Sequence, residues 1–232
     1  MYHKRNFMIL NVVLLDKWNL ANLVRFQEFH EKLKLLPDVI KFNWLDEKSI
    51  VNKDILPKKV RRNPLTGYVP HISVSGDFRD AYNLFACISP DNTKSRAVFF
   101  QVHQNNGNSE SFVDFVIAMV NDGFLSHNEV LIMDNAKIHI YGTARTIEEL
   151  LWETVVKGEP LRILIIYLPT RSPELNPIEL IFHILSRRIR SFRYQTGIGN
   201  ISDHAVVSTA IRVLEDISFV KKTVEHCGYL AI

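Results

Sequence analysis

The sequence predicts an α/β fold, a mixed sheet of three antiparallel strands followed by parallel strands, with helices on its faces. Three observations predict it. Apolar runs of strand length at 84–88 and 97–102 are each closed by turn residues, Ser89-Pro90-Asp91-Asn92 and Asn105-Asn106-Gly107-Asn108. The hydrophobic period then lengthens to that of a helix: Phe112, Phe115, Val116, Met119 and Val120 fall at i, i+3, i+4, i+7 and i+8. Beyond them, continuous apolar runs alternate with helical segments, as expected where strands are covered on both faces.

Each element can be justified in turn. Leu20, Leu23, Val24, Phe26, Phe29, Leu33 and Leu36 recur at roughly helical spacing, and Pro37 ends that helix. Residues 39–45 read as a strand that stops at Asp46-Glu47-Lys48-Ser49. Residues 54–71, with Pro57, Pro64, Gly67 and Pro70, read as an extended loop or clamp. The strands at 84–88 and 97–102 complete an antiparallel meander. The helix over 112–120 has Ser109 as a plausible N-cap and Gly123 just past its end. Val130-Leu131-Ile132-Met133 is a fully buried strand ending at Asp134. A helix over 143–156 carries Ile147, Leu150, Leu151, Thr154 and Val155 inward, and Leu161–Leu168 is another buried strand. After the loop Pro169–Pro173, a last helix starts near Pro177 with Ile178, Ile181, Phe182, Leu185 and Ile189 inward. The order of three strands, helix, strand, helix, strand, helix matches an RNase H-like fold. Residues 1–38 form a helical lead-in and 39–232 the domain.

Composition narrows the class. The 232 residues are 47% hydrophobic and 23% charged, which excludes a disordered or collagen-like chain. Mean hydropathy is -0.01, and no run approaches the roughly 18 apolar residues of a membrane span. Two cysteines, Cys87 and Cys227, make no disulfide framework, so a reducing compartment is expected. Lys4 and Arg5 ahead of the apolar run 7–15 mimic a signal peptide, but Asn11 interrupts the run and Asp16-Lys17-Trp18 stands where small residues should mark cleavage. The chain is expected not to be secreted. A net charge of +3 permits nucleic acid as a partner without demanding it. No G-x-G-x-x-G, G-x-S-x-G or Walker A run supports a metabolic α/β enzyme.

Three acids are placed to do chemistry. Asp46 and Asp134 end strands that can be sheet neighbours, and open α/β sheets build sites beyond such ends. Glu179 starts the last helix. Three converging carboxylates repel one another, and at least one pKa should rise. A pair of divalent cations about 4 Å apart would remove that penalty and serve a phosphoryl displacement; hard oxygen ligands favour Mg²⁺ or Mn²⁺. Each acid also has a plainer reading. Asp46 suits a turn, Asp134-Asn135 an Asx-turn, and Asn176, Pro177 and Glu179 a capping box. Trp44 shares a strand face with Asp46 and either stacks on a base or packs in the core.

The runs DNAKIH (Asp134–His139) and YLPTRSPELNPIE (Tyr167–Glu179) strongly resemble the DDE-superfamily transposases, above all mariner-type elements and their bacterial insertion-sequence relatives. Trp44–Ser49 resembles the family's first-aspartate block and Cys227-Gly228-Tyr229 its C-terminal ending. The resemblance runs from about Asp46 to Tyr229. It implies an RNase H-like catalytic domain, metal-dependent strand cleavage and transfer of the freed 3′-OH to target DNA. It maps the catalytic, metal-binding triad onto Asp46, Asp134 and Glu179, with two Mg²⁺ or Mn²⁺ ions. Forty-four residues lie between Asp134 and Glu179, more than mariner-type members usually have, so extra length is expected over 143–161. Glu174 is the decoy, expected in the loop before the helix. Asn135 and His139 either orient Asp134, touch phosphate, or are structural.

Two basic clusters are expected to track DNA phosphates: Lys58, Lys59, Arg61 and Arg62, and Arg187, Arg188, Arg190 and Arg193. For the helix cluster, a solvated face near a helix C-terminus is the plainer reading. Lys58–Arg61 also fits a nuclear-import pattern, so the nucleus is expected in a eukaryote and the cytoplasm otherwise. DNA is the expected partner and a homodimer an open one, with no membrane and no small-molecule cofactor. Family members normally carry tandem helix-turn-helix units ahead of the catalytic domain. About forty-five residues precede Asp46 here, with one helix and no two-helix DNA reader. The expectation is therefore a catalytic domain alone, either an active transposase-type nuclease or a transposase-derived domain without catalysis that serves DNA binding or protein interaction.

Overall fold

The computed structural model describes residues 19–37, 41–51, 64–67, 81–103, 109–134, 144–196, 208, 211–215 and 218–229. Five strands form one sheet: β1 (Phe42–Val51), β2 (Ala81–Ile88), β3 (Val98–His103), β4 (Val130–Met133) and β7 (Leu164–Tyr167), in spatial order β3-β2-β1-β4-β7. β1, β2 and β3 pair antiparallel, whereas β4 pairs parallel to both β1 and β7. The helices are α1 (Leu20–Lys34), α2 (Ser109–Asp122), α3 (Ala144–Glu153), α4 (Pro177–Thr196) and α5 (Val220–His226). A small hairpin, β5 (Val155–Val156) and β6 (Glu159–Pro160), follows α3. Among the described residues no helix is long and apolar enough to cross a membrane.

Strand alternation splits the core into two layers. On one face Trp44, Leu84, Ala86, Ile88, Ile132 and Ile166 pack under α4 and α5. On the other, Leu45, Phe85, Cys87, Leu131 and Met133 pack against Phe112, Phe115 and Met119 of α2 and Ile147 and Leu151 of α3. Ile178, Ile181, Phe182, Leu185 and Ile189 of α4 are all buried. At about 1.5–3 kcal/mol for each fully buried side chain, they pin the start of α4 to the sheet.

Several expectations need correction. The first strand does not stop at Asp46. It runs to Val51, because residues 46–51 continue an antiparallel ladder with β2 from Asp46↔Ala86 to Val51↔Ala81. Of the apolar residues of α1, Phe29 is buried, while Leu20, Leu23 and Val24 are exposed. The helix after β4 ends at Glu153 rather than running to residue 156, and Val155 belongs to the β5–β6 hairpin, where it is exposed. The strand expected over 161–168 is the shorter β7 at the sheet edge, where Leu164 is exposed. The loop of 54–71 lies outside the described residues except for a turn at 64–66.

Candidate active site

The register sets the site. Leu45 of β1 pairs with Met133 of β4, so the next residue on each strand is an aspartate, Asp46 beside Asp134. The two strands are central rather than at a sheet edge, and the acids lie where their parallel pairing ends. Alternation puts Asp46 on the face of Trp44 and Asp134 on the face of Ile132, both covered by α4. Glu179 occupies the first turn of α4. Asp46, Asp134 and Glu179 together line a pocket of about 250 Å³ with Arg171, Ser172 and Asn176.

Asp46 is buried and held from two sides. The Glu47 backbone N–H donates to its Oδ1 at 2.7 Å, and the Asn176 amide Nδ2 donates to its Oδ2 at 2.8 Å. Its pKa is raised well above the ordinary carboxylate value, first by burial and then by the charges of Asp134 and Glu179. The charges that move it are all negative, Glu47 being the third. Among the described residues, no three His, Cys, Asp or Glu side chains already stand close enough to close on one ion. The three acids surround a pocket rather than touch.

Asn176 is the residue sequence reasoning assigned to a cap. Its backbone carbonyl accepts the Glu179 N–H at 3.1 Å, but its side chain turns to Asp46 instead. Its Oδ1 is buried and finds no hydrogen-bond partner among the described residues. The signal was present in the Leu175-Asn176-Pro177 run, yet a capping asparagine and one that holds a carboxylate look alike in sequence. Tyr229 was likewise missed as a site support. Its hydroxyl donates to the Leu175 carbonyl at 2.8 Å, and its ring meets Trp44 edge-on at 4.9 Å. Trp44 is fully buried and is therefore core rather than a base-stacking platform.

Glu174 sits in a short 3-10 turn, Pro173–Leu175, is exposed, and does not line the pocket. On α4, Arg187 and Arg188 are exposed, while the half-buried Arg190 donates from Nε to the Ser186 carbonyl at 3.1 Å. Asn135, His139, Lys58, Lys59, Arg61 and Arg62 lie outside the described residues, as does the side chain of Arg193.

A family model described as DDE superfamily endonuclease matches residues 66–198, more than half of the chain, including Asp134 and Glu179 but beginning after Asp46. No match to the chain was found among curated proteins. Among solved structures, the Mos1 transposase catalytic domain with Raltegravir and Mn matches with a TM-score of 0.56 and 12% identity, over 90% of this chain and 92% of that one. Mos1 transposase in a paired-end complex with the left transposon end matches with a TM-score of 0.52 and 15% identity, over 90% of this chain and 63% of that one. The pre-cleavage Mos1 transpososome gives 0.52 and 15%, over 92% and 65%. The chain thus spans less than two thirds of those longer transposase chains. At such identities the likeness establishes the fold, the RNase H-like architecture of a transposase catalytic domain. With that fold and the family model agreeing, the chain belongs to the DDE superfamily endonucleases.

Proposed function

We propose that the chain cuts DNA phosphodiesters as a transposase-type endonuclease and strand-transfer domain, using divalent cations held by Asp46, Asp134 and Glu179. One observation carries this reading: carboxylates from β1, β4 and α4 line one pocket, and every charge acting on the buried Asp46 is negative. Such a set is unstable alone and suited to a hard cation. The donors fit Mg²⁺ or Mn²⁺. They are all oxygens, each Asp46 oxygen accepts one hydrogen bond and keeps lone pairs to spare, and the orphaned Asn176 Oδ1 stands beside them. When bound, a pair of such ions stabilises the attacking and leaving oxygens of a phosphoryl displacement. The chain's own residues do the positioning. The Glu47 amide and Asn176 fix the Asp46 carboxylate, and Tyr229 fixes the backbone just before Asn176. The Mos1 domain solved with Mn and the Mos1 complex with a transposon end support the choice of metal and of DNA. Arg187 and Arg188, roughly 12 Å or more along α4 from Glu179 at 1.5 Å per residue, are candidates for DNA phosphate contact.

The test is nicking of supercoiled DNA with Mg²⁺ or Mn²⁺, beside an Asp134→Asn variant. We expect the variant to lose at least ~10³-fold in rate, roughly 4 kcal/mol of transition-state stabilisation. Equal nicking in EDTA, or by the variant, would refute the metal mechanism. If neither protein nicks, the chain is a DNA-binding or protein-interaction domain on the same fold.

A further inference from the structure

The carboxylate pocket has a neighbour of opposite character. A second cavity of about 250 Å³ is lined by Asn19, Ala21, Asn22, Arg25, Thr170 and Arg171. Thr170 and Arg171 line both cavities, so the two adjoin along one loop. Arg25 reaches that loop from α1, 145 positions away in sequence. Its Nη1 donates to Thr170 Oγ1 at 2.7 Å. Arg171 holds a backbone φ of +58, a conformation that a non-glycine residue rarely adopts and that tends to be kept where a site needs it. Arg25, Thr170 and Arg171 are all exposed.

The two cavities differ in charge balance. The first is lined by three acids against one cation, Arg171. The second is lined by Arg25 and Arg171 and by no acid. A guanidinium offers five N–H donors in a planar fork that matches the oxygens of a phosphate, and the bond to Thr170 uses one of Arg25's. α1 is thus more than a lead-in, since it delivers a cation to the rim of the site.

We propose that Arg25, Thr170 and Arg171 form a phosphodiester subsite that holds the DNA backbone beside the carboxylate pocket, so that the neighbouring phosphodiester is presented to Asp46, Asp134 and Glu179. The subsite rests on the nuclease reading above and adds the residues that engage the substrate strand. Arg25 and Arg171 act on binding and alignment; the acids act on the bond that breaks.

The test is a salt titration of binding to a short duplex of arbitrary sequence, with Ca²⁺ in place of a catalytic ion. Wild type is compared with Arg25→Gln, Arg171→Asn and their combination. Asparagine tolerates the left-handed backbone, so the loop keeps its shape. Each lost phosphate contact should flatten the slope of log K against log[salt] by about 0.9, and the double variant by about 1.8. Arg25→Lys should keep the slope. Lys157→Gln, in the turn of the β5–β6 hairpin and in the lining of neither cavity, should match wild type. Nicking by the double variant should weaken through a higher DNA requirement, with the rate at saturating DNA within a few-fold of wild type. An unchanged slope in the double variant, with wild type still nicking in an Asp134-dependent way, overturns the subsite and leaves the nuclease reading intact. Wild type that neither binds nor nicks DNA removes both.

Discussion

At one end of the β1–β4 pair a buried acid is bridged by a cation; at the other, the charges that shift a buried acid are all acidic. Glu129 immediately precedes β4 and is almost fully buried. Lys94, whose side chain is largely enclosed, bridges to it at 2.8 Å, Asn43 of β1 donates to it at 2.9 Å, and the Lys94 ammonium also donates to Asn43 Oδ1 and to the Phe124 carbonyl. A few residues along the same two strands, Asp46 has two hydrogen bonds but no counter-charge among the groups that shift it. The fold is able to neutralise a buried carboxylate, and does so where the carboxylate is structural. At the other end the charges acting on Asp46 all raise its pKa, and under the proposed function a cation would relieve that burden.

The comparison breaks first if Lys94 can be removed cheaply. Lys94→Met leaves Glu129 buried without its partner, which should cost about 3–5 kcal/mol. Replacing both, Lys94→Met with Glu129→Leu, should recover most of that loss, since an apolar pair of similar volume is often neutral relative to a buried ion pair. Denaturant unfolding of the three proteins measures this. A single-variant cost below about 1 kcal/mol would mean the pair is no stronger than an exposed one.

The acidic end should respond to metal instead. Mn²⁺ at about 100 times its dissociation constant should stabilise the wild type by about 2.7 kcal/mol. That corresponds to a rise in Tm of roughly 5–10 °C at about 2–4 °C per kcal/mol for a chain of this size. Asp134→Asn should abolish the rise, and Glu129→Gln should keep it. A rise of equal size in Asp134→Asn would place the ion elsewhere.

The two ends also differ in how far they were legible. Asp134 follows four consecutive apolar residues and Glu179 lies just inside a helix opened by Pro177, so both could be placed from periodicity and capping alone. Asp46 was found but misplaced. Glu47, Lys48 and Ser49 read as a turn because they are polar, whereas in the structure they pair with Phe85, Leu84 and Asn83 on an arm of the sheet that is only partly covered. A strand's continuation there depends on a partner more than thirty residues away, which local pattern cannot report. The Lys94–Glu129–Asn43 cluster was not legible at all, since its three members come from separate parts of the chain and each looks like a surface residue in sequence. The same holds for Arg25, whose partner is 145 positions away.

A subtler test uses the raised pKa of Asp46. A carboxyl that holds its proton more tightly when folded favours the folded state fully below the ordinary carboxylate value of about 3.9, and that contribution is lost as pH rises from there through the raised folded value. Above that raised value, ionisation of Asp46 therefore works against folding. Asp46→Asn should raise the Tm of the metal-free protein by a few degrees at about 2–4 °C per kcal/mol, while abolishing nicking. The gain should be larger at neutral pH than near pH 4. The new amide can also donate to the orphaned Asn176 Oδ1 if the Asn176 side chain turns over. A metal-free Tm that falls at neutral pH would show that the acidic end is not under electrostatic strain.

The smallest effect expected is at Tyr229, which touches no acid yet supports one. Its hydroxyl holds the Leu175 carbonyl at 2.8 Å, and the next residue is the Asn176 that holds Asp46. Tyr229→Phe keeps the ring against Trp44 and removes the hydroxyl with its hydrogen bond to the Leu175 carbonyl, at a cost of about 1 kcal/mol. The Tm should drop by roughly 2–4 °C. If the link through Leu175 and Asn176 positions Asp46, nicking at saturating DNA should slow by less than tenfold, while DNA affinity and its salt dependence stay unchanged. Lys94→Met, far costlier in stability, should leave the nicking rate of the folded fraction unaltered, because its cluster lies at the opposite end of the strands. Tyr229→Phe that loses stability without any change in rate would confine the tyrosine to packing and leave Asn176 to hold Asp46 without it.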